Sequence, residues 1–330
     1  MPRVFSNQSD VTDRKCPETA KGPAGFFRFS LFGNARVLAE WPTLVLLALC
    51  YGLWALATTL LADWSLPLAV LGVTLAAALH SSLTHEALHG HPTGSPFWNA
   101  ALVFPALSVA VPYLRFRDTH LAHHRNSILT DPYDDPESNY LDPAVWARLP
   151  GAMRLVLRIN NTLSGRLLIG PLVGTLAFVR SDWRLIRQGD RRVLVGWLWH
   201  LPALALVVGW MVWVALMPLW AWALASYAAL SILKIRTFLE HRAHETALGR
   251  TVIIEDRGLL ALLFLNNNFH LVHHMHAKVP WFRLPQLYAQ NRDRYLSRNG
   301  GYRYASYAEV FRKYFWRAKD PVPHPLWPSE

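Results

Sequence analysis

Three short histidine clusters constrain this chain more than any other feature: His85-Glu-Ala-Leu-His89, His120-Leu-Ala-His123-His124 and His270-Leu-Val-His273-His274. Each contains a pair four residues apart, and the last two repeat the pattern H-x-x-H-H. On a helix, residues at i, i+3 and i+4 share a face. A single such pair is ordinarily a packed or interfacial one. Adjacent histidines, however, lower helix propensity and add little to packing. Three clusters in one chain therefore point to a polynuclear metal site rather than to structure.

The clusters sit among apolar runs of membrane length. Hydrophobic residues make up 52% of the chain and charged ones 17%, a balance more apolar than soluble domains show. Runs at 43–61 and 66–83, separated by Ala62-Asp63-Trp64-Ser65, predict one antiparallel hairpin. Runs at 193–214 and 216–233, turning near Met217-Pro218, predict a second. Each approaches the ~20 residues that span a bilayer. The expected fold is thus an all-α integral membrane protein, with four transmembrane helices in two hairpins and a cap carrying a di-metal site. The proline-broken run 97–114 reads as re-entrant or surface-lying, and 163–179, with Arg166 and Pro171, as an interfacial helix. The expected divisions are an N-terminal segment 1–42, a membrane domain 43–290 and a C-terminal tail 291–330.

Four spans place 1–42, 115–192 and 234–330 on one side. These segments hold nearly all the lysine and arginine, and the two hairpin turns hold none. The positive-inside rule makes the basic side, with both termini, cytoplasmic. All three histidine clusters fall on that side. A formal charge of +11 would otherwise raise nucleic acid as a partner, but arginines spaced between apolar runs fit basic loops better. No cleavable leader is evident in 1–40, so the first span would direct insertion into an inner or plasma membrane. Cys16 and Cys50 are the only cysteines, which argues against a disulfide framework or thiolate metal site.

Imidazole suits zinc, copper, iron and nickel alike, but the number of histidines exceeds what one zinc takes and suits two metals. A pair of iron ions can activate dioxygen, which redox-inert zinc cannot. His85-Glu86-Ala-Leu-His89 also matches H-E-x-x-H, the signature of zinc proteases. A protease leaves both H-x-x-H-H clusters unexplained. A non-catalytic metal or haem carrier is a further alternative.

Over about residues 40–290, the order and spacing of H-E-A-L-H at 85–89, H-L-A-H-H at 120–124 and H-L-V-H-H at 270–274 resemble the membrane fatty acid desaturase superfamily. That superfamily includes acyl desaturases, hydroxylases, carotenoid ketolases and oxidative decarboxylases. The resemblance implies two non-haem Fe ions with O2 as co-substrate, and a membrane lipid or fatty acid as substrate. It also implies an external electron donor, a ferredoxin-like protein with its reductase. Fatty acyl desaturation is the first expectation. Hydroxylation, ketolation and decarboxylation to a terminal alkene are the alternatives.

The expected ligands are His85, His89, His120, His123, His124, His270, His273 and His274, joined by a histidine after the second hairpin. His241 directly follows the fourth run and is preferred to His244. Asn266, Asn267 or Asn268 is expected to offer a polar group to the metals or to cap a helix. Glu86, Asp118, Asp131, Asp134, Asp135 and Glu240 are candidate hydrogen-bond partners of the imidazoles, although the Asp131–Glu137 run also reads as a solvated loop. His91, His200, His276 and His324 are left outside the site, and His80 lines it or packs. Arg236 and Arg242 hold an anionic headgroup or mark the membrane boundary. An apolar tunnel between the hairpins is expected, with Trp54, Trp197, Trp199, Trp213 and Trp222 as lining or boundary residues.

Overall fold

The computed structural model describes residues 26–29 and 37–327. Two short strands, β1 (Phe26–Phe29) and β2 (Val37–Glu40), pair antiparallel ahead of the first long helix. α1 (Trp41–Thr58) starts with proline in its first turn, where the missing N–H costs nothing. It continues through α2 (Leu60–Trp64), turns at Ser65 and returns as α3 (Leu66–Leu88). α4 (Pro96–Leu102) leads into the irregular, proline-rich segment before α5 (Tyr113–His123). Short helices α6 (Pro143–Arg148), α7 (Gly151–Asn160) and α8 (Leu163–Leu168) cross the polar face, followed by α9 (Gly170–Arg187). The second hairpin is α10 (Arg191–Trp213) and α11 (Leu219–Thr237).

The remainder closes the polar face. β3 (Ile253–Ile254) precedes α12 (Leu259–Leu263) and α13 (His270–Met275). α14 (Leu284–Gln290), α15 (Arg292–Arg298), β4 (Arg303–Tyr304) and α16 (Tyr307–Tyr314) follow. β4 pairs in parallel with β3, so residues beyond 290 pack into the same body as the metal-site helices.

Small residues set how closely the long helices approach. Ala69, Val73, Ala76 and Ala77 of α3 and Ala221, Ala225 and Ala229 of α11 are fully buried, the pattern by which helices pack without a hydrophobic drive from lipid. A Cβ at Gly72 would come within 2.8 Å of the Ala57 Cβ, so only glycine permits the α1–α3 contact. The Thr74 hydroxyl donates to Ala225 O at 3.3 Å and the Cys50 thiol to Ala76 O at 3.2 Å. At the hairpin turns, Trp210 Nε1 donates to Thr58 Oγ1 at 2.9 Å and Leu216 N to Thr58 O at 2.9 Å. One threonine thereby joins the two hairpins.

Among the described residues, three helices are long and apolar enough to cross a membrane: Trp41–Trp64, Leu66–Leu88 and Arg191–Trp213. α11, expected as the fourth span, carries Ser226, Tyr227, Ser231 and Lys234 in its 19 residues. These polar groups lower its hydropathy although it packs along α3. The run 97–114 is a short helix and an irregular segment fastened to α10: Ala106 N donates to Ala203 O at 3.3 Å, and His200 Nε2 lies 2.8 Å from Val109 O. In α9, Leu172, Leu176, Val179 and Trp183 form an exposed apolar stripe at helical spacing.

Candidate metal centre

The three clusters arrive on three helix ends. His85 lies in the last turn of α3 and His89 caps it. His120 and His123 end α5, with His124 as its cap. His270, His273 and His274 occupy the short α13. His241 leaves α11 in extended backbone, bridged to Thr251. All nine rings converge in two groups, within each of which the nitrogens lie within 4.8 Å of one another. One is His85, His89, His120, His124 and His273; the other is His123, His241, His270 and His274.

The repeated motif is divided between these groups. In α5 the i, i+4 pair His120 and His124 serves the five-histidine group, and His123 turns to the other. In α13 the assignment is reversed: His270 and His274 serve the four-histidine group and His273 crosses over. H-x-x-H-H thus builds two positions from each helix.

The inner nitrogens crowd together. His123 Nε2 lies 2.9 Å from His241 Nε2, and His270 Nε2 lies 3.1 Å from His241 Nε2 and 3.2 Å from His274 Nε2. In the other group, His124 Nε2 lies 3.0 Å from His120 Nε2 and 3.2 Å from His273 Nε2. The buried Nε2 atoms of His85 and His89 have no hydrogen-bond partner.

Several outer nitrogens are engaged. His120 Nδ1 lies 2.9 Å from Glu137 Oε1, and His123 Nδ1 2.7 Å from Asp135 Oδ1. His270 Nδ1 lies 3.1 Å from Asn267 Oδ1, and His241 Nδ1 3.3 Å from Thr251 Oγ1. An acceptor on Nδ1 holds the proton there and, in the neutral ring, leaves Nε2 as a lone pair facing inward. Lone pairs about 3 Å apart repel unless a cation lies between them, and metal–nitrogen bonds of about 2.1 Å at right angles produce that spacing. The residues present therefore fit two first-row metal ions with nitrogen ligands.

Electrostatics agree with that fit. Burial, reinforced by neighbouring imidazoles, holds His241, His270, His273 and His274 well below the usual histidine range and His124 at about 3. These rings are neutral at physiological pH, the form that binds metal. Burial also opposes a charge on His123, but Glu137 and Asp135 outweigh it and hold that ring up at about 9.

The other candidates are distributed differently. His244 lies outside both groups, with its Nδ1 within 3.2 Å of Thr246 N and its ring packed on Gly249. The Asp118 carboxylate is taken by Arg117 at 3.0 Å and Arg192 at 2.7 Å, tying α5 to the start of α10. Asp131 accepts from Tyr133 N and Asp134 N in a turn. Glu86 turns to Trp281 N at 3.1 Å and lies 3.9 Å from His85 Nδ1. A protease base must instead face the metal-bound water, so the geometry disfavours that chemistry. Glu240 sits 3.8 Å from His270 Nδ1 and 3.2 Å from Arg236 Nε. Asn267 joins Glu240 to His270, donating to Glu240 Oε1 at 3.2 Å. Asn266 and Asn268 donate instead to the backbone carbonyls of Trp281 and Ile254. Arg242 lies 4.2 Å over the Tyr302 ring and donates to Gly249 O, a structural placement rather than an exposed headgroup site.

A cavity of about 390 Å³ lies between α3, the 97–114 segment and α10. Phe97, Phe104, Val111, Leu114 and Trp199 supply an apolar wall, and Thr84, the sequence neighbour of His85, belongs to the lining. His80 and His200 also line it, and neither belongs to the two histidine groups. Of the expected tryptophans only Trp199 does so. Trp54 packs on Trp210 with centroids 5.5 Å apart, Trp197 donates to Asp182, Trp222 packs against the helix core and Trp213 is exposed.

A beta-carotene ketolase of Paracoccus sp. is 28% identical over 264 residues, covering 78% of this chain and 90% of its own length. The family model for fatty acid desaturases matches residues 62–306, a stretch containing every histidine of both groups. The chain therefore belongs to the fatty acid desaturase family and is a membrane oxidoreductase.

Proposed function

We propose that this protein uses two iron ions, O2 and external electrons to oxidise an unactivated carbon of a membrane-dissolved alkyl chain, and that the reaction is desaturation of a fatty acyl chain. The observation that carries this reading is the gathering of nine histidines into two groups able to hold metal, with a largely apolar cavity whose lining includes Thr84, the sequence neighbour of His85. Its volume of about 390 Å³ falls within the ~300–1,000 Å³ of small-molecule sites.

His85, His89, His120, His124 and His273 hold one iron and His123, His241, His270 and His274 the other. Bound iron supplies reductive activation of dioxygen and removal of hydrogen from an unactivated carbon. The protein's own contribution is placement. Glu137, Asp135, Asn267 and Thr251 orient the imidazoles, and the wall from Phe97 to Trp199 holds the chain still and excludes water. Restricting the substrate beside the oxidant supplies much of the rate in such reactions. In this reading α11 is the fourth span, the metals and both termini are cytoplasmic, and the basic face receives an acidic ferredoxin-like donor, because complementary charge speeds encounter.

Ketolation of a carotenoid is the second reading, favoured by the similarity to a beta-carotene ketolase along 90% of that protein's length. Mass spectrometry of lipids, carotenoids and volatile hydrocarbons from cells expressing the chain, against a His123→Ala control, tests both. New double bonds in fatty acyl chains support the first reading. A carotenoid gaining a carbonyl supports the second. Unchanged products in cells fully supplied with iron and donor contradict both.

A further inference from the structure

The C-terminal residues 318–327 form a strap across the loop that supports the metal centre. Leu141 N donates to Val322 O at 3.0 Å and His324 N returns to Leu141 O at 2.8 Å. Ala318 bridges Thr162, and Lys319 N donates to Asn161 O at 3.3 Å. None of these residues belongs to a histidine cluster.

Three routes lead from the strap toward the four-histidine group. His324 is 8% exposed, and its Nε2 lies 3.3 Å from Thr130 Oγ1. Thr130 N donates to Asp135 Oδ2 at 2.9 Å, and Asp135 Oδ1 lies 2.7 Å from His123 Nδ1. Lys319 Nζ, on a side chain only 10% exposed, donates to the backbone carbonyl of His241. Asp320 accepts from the Tyr140 hydroxyl, which in turn accepts from Ala243 N at 2.8 Å.

The convergence is selective. His123 and His241 belong to the four-histidine group. In the five-histidine group, His120 alone shares the loop, through Glu137, whose N–H is held by Asp135 Oδ1 at 2.9 Å. His85, His89, His124 and His273 are carried by α3, α5 and α13 and receive no hydrogen bond from the strap. We propose that the strap, through Lys319 and His324, positions His241 and His123 and so sets the affinity of the four-histidine metal position, leaving the five-histidine position largely independent of it.

This rests on the two-metal reading above, and the experiment separates the two. Full-length protein and its Lys319→Met, Lys319→Arg, His324→Phe and Leu326→Ser variants are purified in detergent. Each is titrated with Co(II), read by its absorption, and iron-loaded samples are challenged with a chelator. Thermal unfolding of the metal-free forms monitors the fold. Loss of an outer partner of a metal-bound histidine typically weakens binding about 10–100-fold. The expected result is two metals in the parent, with Lys319→Met and His324→Phe weakening one position at least tenfold and leaving the other within a factor of two or so. Lys319→Arg, which keeps a donor, restores most of the loss, and Leu326→Ser, exposed at the strap's edge, changes neither position. Equal weakening of both positions with lowered thermal stability, or no weakening of either, overturns the strap's selective role. A parent that binds fewer than two metals overturns the two-metal reading itself, and the strap's role with it.

Discussion

His124 and His274 stack face to face, with ring centroids 4.2 Å apart and planes 10° from parallel, although each belongs to a different metal group. They form a shared wall between the two positions. Moving either ring disturbs both groups, whereas the imidazoles that His85 touches, His89, His120 and His273, all belong to its own group.

His274→Ala is therefore expected to lower metal content at both positions, and His85→Ala at one. Elemental analysis of purified variants checks this. Near-complete loss in both variants, or a single-site loss in His274→Ala, would contradict the shared wall.

Two acidic residues in similar sequence settings should behave differently. Asp135→Ala removes the acceptor from His123 and is expected to cost about 10–100-fold in metal affinity. Asp118→Ala breaks contacts to Arg117 and the largely exposed Arg192. Exposed ion pairs contribute only ~0–1 kcal/mol, so metal content should not change. Metal titration of the two variants distinguishes them.

The charge on His123 gives a pH dependence. Its pKa in the folded, metal-free protein is raised from 6.5 to about 9. The stabilisation from its carboxylate neighbours is fully present below 6.5 and is lost as pH rises through about 9. Metal binding runs the other way, since the proton must leave Nε2. Affinity at the four-histidine position should rise about tenfold per pH unit between 7 and 9 and then level off. Calorimetry in buffers of different ionisation enthalpy should detect about one proton released per chain at pH 7.5. No proton release would contradict the assignment.

Narrowing the cavity should alter which carbon or chain length is oxidised without altering the metals. Ala101→Phe places a ring among Phe97, Phe104 and Trp199, at an overpacking cost of about 1–3 kcal/mol. The expected outcome is a shift toward shorter or differently positioned products at constant iron content. An unchanged product profile would place the substrate elsewhere.

Local pattern made the nine histidines legible, because helical spacing and membrane topology acted on the same residues. His241 was separable from His244 by its place at the exit of α11, where backbone direction is still set by the helix. The acids were harder. Asp118 stands closer in sequence to His120 than Glu137 does, yet helix α5 turns it toward Arg192, while the loop carries Glu137 back to His120. The carboxylates were chosen by loop backbone, which has no period to read. Lys319 and His324 were not legible at all, since their effect depends on a strap closing across a loop about 190 residues earlier in the chain. Tryptophan content pointed to an apolar lining, but tryptophan also serves helix packing and the membrane boundary, and only Trp199 lines the cavity.

The most direct test of the two-metal account is iron content and Mössbauer spectroscopy of the full-length protein purified anaerobically, beside His241→Ala. The account predicts two irons per chain in the parent, spectroscopically coupled, and no more than one in the variant. A single zinc per chain, or one isolated iron unaffected by His241→Ala, would contradict it.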